Sequence, residues 1–394
     1  MLYTILTIIS IVLFVVLLIN VAYFFVFAFA GKLGSVRISA PTTICANMVV
    51  FIPAYKEDAV ILHSAEAAVL QDYPKDRFAI VVIADHLLPE TILKLKQIPV
   101  EVIEVQFEKS TKIKSLNFAV GALTKAYDAV VVLDSDNIMQ IDFLSKMNRE
   151  LQAGFHAVQG HRVAKNEDTD MAFLDAMSEE INNHLFRKGH YILGFSSALI
   201  GSAMAFEFQL FKRLIKGIHS VGEDKELELA LLKEKVKIAY VEDALVYDEK
   251  VQNMEVFGNQ RRRWLASQLN IFQTYFFPSF IELFKRGNID YFNKAFQSAL
   301  VPRVLLLGFL TLMAFVSIFL PLVPSVVGWI GLWLTYVLTL MLAIPGRFYN
   351  RKLWNAVLKV PAVFLKMFLL LFRLKGAGKT FVHTPHTTIN VKKD

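Results

Sequence analysis

The chain predicts an α/β domain built on a doubly wound, mostly parallel sheet, inserted between membrane-spanning helices and accompanied by amphipathic interfacial helices. Three observations carry this. Uncharged apolar runs lie near both ends of the 394 residues. Between about residues 47 and 250, short β-branched runs alternate with helical stretches. Acidic residues follow several of those β-branched runs directly. Hydrophobic residues make up 55% of the chain, above the roughly 45–50% of an ordinary soluble domain, and this excludes a disordered or collagen-like chain. The single cysteine, Cys45, closes no internal disulfide and builds no thiolate cluster.

From the N-terminus, Leu2 to Ala30 carry no charge, a run longer than the about 20 residues a bilayer needs and longer than a signal-peptide core. Residues 1–31 are therefore expected to be a retained span. A second uncharged stretch, Val304 to Gly346, is broken by Pro321 and Pro324, so residues 298–347 read as two spans joined by a tight turn. Basic residues flank the inner ends of these spans: Lys32 and Arg37, then Lys285, Arg286, Lys294 and Arg303, then Arg347, Arg351 and Lys352. The positive-inside rule puts the middle of the chain in the cytoplasm at the inner membrane, with an outside N-terminus and a cytoplasmic C-terminus. The net charge of +7 is then mostly juxtamembrane, meeting a lipid bilayer, and no nucleic-acid partner is expected. Residues 266–297, rich in Phe and Tyr, read as interfacial helices. Residues 350–394 read as an amphipathic interfacial helix and tail, because Lys359, Lys366 and Arg373 recur every seven residues on one helix face.

The middle, residues 45–265, reads as one catalytic domain. Val49–Ile52, Ile80–Ile83, Val100–Val105 and Val130–Leu133 are the expected buried strands; Asp58–Leu70, Ser115–Lys125 and Phe143–Leu151 are the helices between them. Such sheets bind ligands beyond the carboxyl ends of their strands. There stand Glu57, Asp85 and the Asp134-Ser135-Asp136 triplet. Carboxylates gathered at one rim repel each other unless a cation joins them, and hard oxygens sharing a site with phosphates suit Mg²⁺ or Mn²⁺. Taken alone, the triplet would equally be a solvated turn. Further on, Gly222-Glu223-Asp224 opens a helical segment, where carboxylates also serve as caps. Gln260-Arg261-Arg262-Arg263-Trp264 suits either a headgroup-facing patch or a site for a diphosphate and a sugar ring.

The ordered set P-A-Y-K-E at 53–57, Asp85, D-S-D at 134–136, G-E-D at 222–224 and Q-R-R-R-W at 260–264 resembles the membrane-integrated family 2 glycosyltransferases, among them cellulose, chitin and hyaluronan synthases. The resemblance implies a GT-A-like domain that takes a nucleotide-sugar, of uridine type, and passes its sugar with inversion to a polysaccharide or oligosaccharide acceptor. It implies Glu57 and Asp85 at the nucleoside, and Lys112 and Asn117 near the donor phosphates. Asp134 and Asp136 would hold donor and metal. Asp224 is the implied base, with Glu223 beside it. Gly201 to Phe206 would line the acceptor. Gln260 belongs to the same motif as Arg263, implied at the diphosphate, and Trp264, implied on the acceptor sugar. The tail 379–386 resembles the basic tails of some members. The second motif departs from the family at His86 and Pro89, which puts the sugar in question. Three spans are few for a polymer channel, so a homo-oligomer, a secretion partner or a lipid-linked acceptor is expected. The rivals are single-sugar transfer to a lipid, and an inactive scaffold, which has no need of carboxylates at three strand ends.

Overall fold

The computed structural model describes residues 2–218, 222–320, 322–374, 386 and 388. The strand at Met48–Tyr55 (β1) sends Val50 and Ile52 to one face of the sheet and Val49 and Phe51 to the other, all fully buried. That two-sided burial is why these strands read as unbroken apolar runs. β2 (Phe78–Asp85), β3 (Glu101–Val105) and β4 (Ala129–Val132) repeat the pattern where the sequence places them. β5 (Ile138–Met139), β6 (Ala157–Ala164), β7 (Met204–Glu207) and β8 (Ile238–Asp248) complete a sheet of order β3-β2-β1-β4-β7-β6-β8-β5. β1 runs parallel to β2 and β4, β2 to β3, and β6 to β8, while β7 is antiparallel to both its neighbours and β5 to β8.

β6 and β8 escape a search for β-branched runs because each carries polar groups that the fold consumes. His161 Nε2 lies 3.1 Å from Glu180, and Arg162 donates to Glu179 at 3.1 Å. The helices Ile61–Val69, Lys112–Ala122 and Phe143–Gln152 lie where expected, though the first begins later than Asp58.

Apolar helices flank this domain. Three are long and apolar enough to cross a membrane: Thr4–Leu33, Val326–Ala343 and Arg351–Leu371. Arg303–Phe319 is a fourth apolar helix of 17 residues. The N-terminal helix packs Leu17, Val21 and Phe24 against Trp329, Tyr336 and the segment around Phe173 and Ile181. A π-helical turn at Asn183–Gly189 fits beneath it; a Cβ on Gly189 would lie 2.2 Å from the Phe27 carbonyl.

Two expectations change here. Residues on both sides of the expected boundary at 265/266 form one helix, Met254–Arg286, so the Q-R-R-R-W motif and the aromatic stretch share a rigid rod. Two basic residues of the last helix, Lys359 and Lys366, meet protein groups. Lys366 Nζ donates to the Met254 carbonyl at 2.6 Å and Lys359 lies 3.8 Å from Asp170. Seven-residue spacing defines a face, but does not say whether lipid or protein meets it.

Candidate active site

The parallel register sets Tyr55 beside Asp85 at the carboxyl ends of β1 and β2. The chain leaves both strands through left-handed residues, Lys56 (φ 56) and His86 (φ 57), the kind of backbone strain that clusters at functional sites. Asp85 is 1% exposed; one of its oxygens lies 2.6 Å from His86 Nδ1, and the other, Oδ2, is buried with no hydrogen-bond partner among the described residues. Glu57 is buried, with His386 Nδ1 at 2.9 Å.

After β4, the Asp134 carboxylate pairs with Lys112, whose ammonium also donates to the Gly201 carbonyl at 2.7 Å. Burial alone would lower the Lys112 pKa, but the carboxylates of Asp134 and Glu223 hold it above its ordinary value. Asp136 is 2% exposed, and accepts from Asn137 Nδ2 at 3.1 Å and from the Glu249 backbone at 3.0 Å. Burial raises its pKa, against the charge of His386 and with that of Asp248. Asn137 also donates to Asp248 at 3.0 Å and accepts from Ser202 at 2.6 Å, tying β4, β8 and the loop before β7 together.

Glu223 and Asp224 begin the helix Glu223–Lys233 and face the same cavity. Gly201 (φ 85) approaches them: a Cβ there would lie 3.9 Å from both Asp224 Cβ and Lys112 Nζ. Burial, reinforced by the neighbouring Asp224 charge, pushes Glu223 up to about 7. Repulsion between adjacent carboxylates thus adds to burial at Glu223.

One cavity of about 1530 Å³ is lined by Glu57, Asp85, Lys112, Asp134, Asp136, Gly201, Glu223, Asp224, Gln260, Arg263 and Trp264. Trp264 carries the guanidinium of Arg261 over its ring at 4.2 Å, and Arg261 pairs with Asp175 at 2.7 Å. Gln260 turns a buried oxygen, Oε1, toward no partner among the described residues.

Two expected site residues stand elsewhere. Phe206 is a β7 core residue stacked on Phe211 at 5.2 Å; the strip after Gly201 re-enters the sheet too soon for its ring to reach the cavity. Asn117 donates to the carbonyls of Ile113 and Ile215, 3.0 and 3.1 Å away, and ties its helix to the 3-10 turn Ile215–Gly217. Of the tail 379–386, only His386 lies within the described residues. Sequence reasoning missed Asp248, Arg162 and Lys165. Asp248 ends β8 and obeys the same strand-end rule, so recognising β8 would have found it. Arg162 lies 3.7 Å from Asp248 and 4.0 Å from Asp134, and Lys165 donates to the carbonyls of Asp136 and Thr388.

A mixed sheet with acidic groups at its strand ends defines the class of domain. The fold is shared with a solved mannosyltransferase of Pyrobaculum calidifontis in complex with GDP-Man and Mn²⁺, over 86% of this chain and 97% of that one, with a TM-score of 0.52 at 15% identity. This is a GT-A-like fold flanked by apolar helices. Residues 46–267 match the family described as glycosyltransferase like family 2. The match covers more than half of the chain, which therefore belongs to glycosyltransferase family 2. It is also 28% identical over 239 residues to an N-acetylglucosaminyltransferase of Rhizobium meliloti (strain 1021), covering 55% of this chain and 54% of that protein. The chain thus spans about half the length of this curated relative.

Proposed function

We propose that the protein transfers a sugar, with inversion, from a nucleotide-sugar of uridine type to a carbohydrate or lipid-linked acceptor that reaches the rim from the membrane. The observation that carries this reading is that Asp134, Asp136 and the Glu223–Asp224 pair line one cavity with Gln260, Arg263 and Trp264. Asp85 Oδ2, buried and unpartnered among the described residues, suits the N–H of a nucleobase, with Glu57 beside it. Lys112 and Arg263 would meet the diphosphate, as guanidinium and ammonium groups do. The nucleotide-sugar and Mn²⁺ of the mannosyltransferase are in keeping with this.

The rim fits a divalent cation by its donor chemistry. Among the described residues no three ligand side chains converge as a closed set, and one or two carboxylates are what Mg²⁺ or Mn²⁺ needs when substrate phosphates supply the rest. Asp134 and Asp136 would hold it, and it would stabilise the charge on the departing diphosphate. Asp224 takes the proton of the acceptor hydroxyl, with Glu223 sharing the proton load. No carboxylate is assigned as a nucleophile, so displacement is single and the anomeric carbon inverts, by the logic of inverting glycosidases. The basic flanks of the apolar helices favour a cytoplasmic catalytic domain at the inner membrane, supplied with donor from that side.

The full chain in lipid nanodiscs, incubated with a panel of labelled nucleotide-sugars with and without Mn²⁺, tests the reading. Metal-dependent transfer of label from one donor is expected. No transfer from any donor, or full transfer in excess chelator, overturns it.

A further inference from the structure

The cavity continues past the rim. Beyond Arg303 it enters a chamber between the helices Arg303–Phe319, Val326–Ala343 and Arg351–Leu371, walled by Leu307, Phe315, Val337, Trp354, Val360 and Phe364. The hydroxyls on these walls are already used. Thr311 Oγ1 donates to the Leu307 carbonyl at 2.8 Å and accepts from Trp333 Nε1 at 3.0 Å, while the Tyr349 hydroxyl donates to the Met341 carbonyl at 2.6 Å. A sugar polymer threaded here would leave its hydroxyls without partners, a cost that hydrocarbon does not incur.

At the junction of rim and chamber the charge is positive. Arg303 Nη2 donates to the Ser178 carbonyl at 2.9 Å, the Ser178 hydroxyl at 3.1 Å and Asn182 Oδ1 at 2.9 Å. Among the described residues it has no carboxylate within ion-pair distance. Arg187 lies 3.3 Å from Glu179, which Arg162 shares at 3.1 Å, and Arg261 is balanced by Asp175. An Arg at the edge of an apolar helical chamber, solvated only by neutral oxygens, marks a ligand site, and guanidinium suits phosphate above other anions.

We propose that this junction binds the phosphate of a phosphate-linked lipid acceptor, the anion on Arg303 and the hydrocarbon chain in the chamber. The proposal rests on the rim being a sugar-transfer site and names its acceptor class. A sugar on that phosphate would extend toward Trp264 and Asp224. Its hydroxyl oxygen bonds to the donor's anomeric carbon as the bond from that carbon to the donor phosphate breaks. The proton goes to Asp224, and the electron pair leaves with the nucleoside diphosphate.

The test measures binding of dodecyl phosphate, dodecanol and inorganic phosphate to the full chain in micelles, alongside UDP with Mn²⁺. Dodecyl phosphate is expected to bind at least about tenfold more tightly than either other probe, as a charge-assisted bond implies. Arg303→Gln should weaken it about tenfold to a hundredfold, and Arg303→Lys less. Leu307→Trp, which fills the chamber one helical turn beyond Arg303, should also weaken it. Both Arg303→Gln and Leu307→Trp should leave UDP affinity unchanged. Equal binding of dodecanol and dodecyl phosphate, or a dodecyl phosphate affinity unmoved by Arg303→Gln and Leu307→Trp, overturns the proposal. Inorganic phosphate binding as tightly as dodecyl phosphate would mean a free-anion site and overturns it too. If UDP with Mn²⁺ fails to bind the unaltered chain, it is the sugar-transfer reading that falls, separately from the lipid result.

Discussion

The rim and the chamber are two ends of one cavity, built on opposite principles. At the rim almost every charged group already has a partner: Lys112 holds Asp134, Arg162 lies between Asp134 and Asp248, and Asn137 joins Asp136 to Asp248. Such a network fixes side chains before a ligand arrives, which is what electrostatic stabilisation of a departing group requires. In the chamber, the neighbouring residues are apolar and the few polar atoms are spent on one another and on helix carbonyls, Trp333 on Thr311 and Tyr349 on Met341. It selects by shape and desolvation and makes few directional bonds. The difference teaches that substitutions in the rim's charged network should act on turnover, and substitutions of apolar surface, in the chamber or at Trp264, on acceptor affinity.

Asp224→Asn should break the rim most completely. Losing a general base costs about 10²–10⁴-fold in rate, while losing a helix cap costs about 1 kcal/mol of stability and spares turnover. Near-complete loss of transfer with UDP affinity intact, measured by steady-state kinetics and calorimetry, is expected. If Glu223→Gln abolishes transfer while Asp224→Asn does not, the base is Glu223.

Asp136→Asn comes next, with a loss of about 10²–10³-fold, the usual effect of removing one electrostatic stabiliser. Unlike Asp224→Asn it should also weaken UDP binding in Mn²⁺, because the carboxylate acts on the bound donor as well as in the transition state. An unchanged melting temperature alongside that loss would exclude a purely structural cause.

A smaller effect follows from the Glu223–Asp224 pair. Glu223 is held near pH 7 by burial and by Asp224, with Lys112 pulling the other way and Asp134 adding to the rise. Transfer needs the pair free to accept a proton, so the rate should fall about tenfold per pH unit below 7. Stability runs the other way. A carboxyl raised above its unfolded value of about 4.3 costs folding free energy as pH climbs from that value to 7, so acid does not weaken the fold through this group. Glu223→Gln should remove the limb near pH 7, read from the pH profile of kcat/KM.

Trp264→Ala should have the least effect. Its ring, which carries Arg261 over one face, would offer the acceptor sugar a stacking contact of about 0.5–1.5 kcal/mol, so a rise of about twofold to tenfold in acceptor KM with little change in kcat is expected.

The rim was legible in the sequence and the chamber was not, for physical reasons. Asp85, Asp134 and Asp136 stand directly after runs of apolar β-branched residues, and a charged group at a strand end has few structural purposes. Asp248 obeys the same rule but ends Ile238–Asp248, a strand with Glu242 and Asp243 inside it, so the run was not apolar enough to read. Phe206 and Asn117 show the converse, since motif position placed them near the ligand while the backbone turned them into the core and onto Ile215. The chamber depends on which faces of uncharged helices meet, and an all-apolar helix has no polar face to betray its orientation. Arg303 looked like one more juxtamembrane cation until its partners proved to be Ser178 and Asn182, more than a hundred residues earlier.

The most direct test of the two-ended cavity is the mass of the product made at saturating donor by the full chain in nanodiscs containing a phosphate-linked glycolipid. The account predicts a single species, the glycolipid plus one sugar, formed only with the divalent metal and lost in Asp224→Asn. A ladder of long, water-soluble polymer made without the lipid would contradict it.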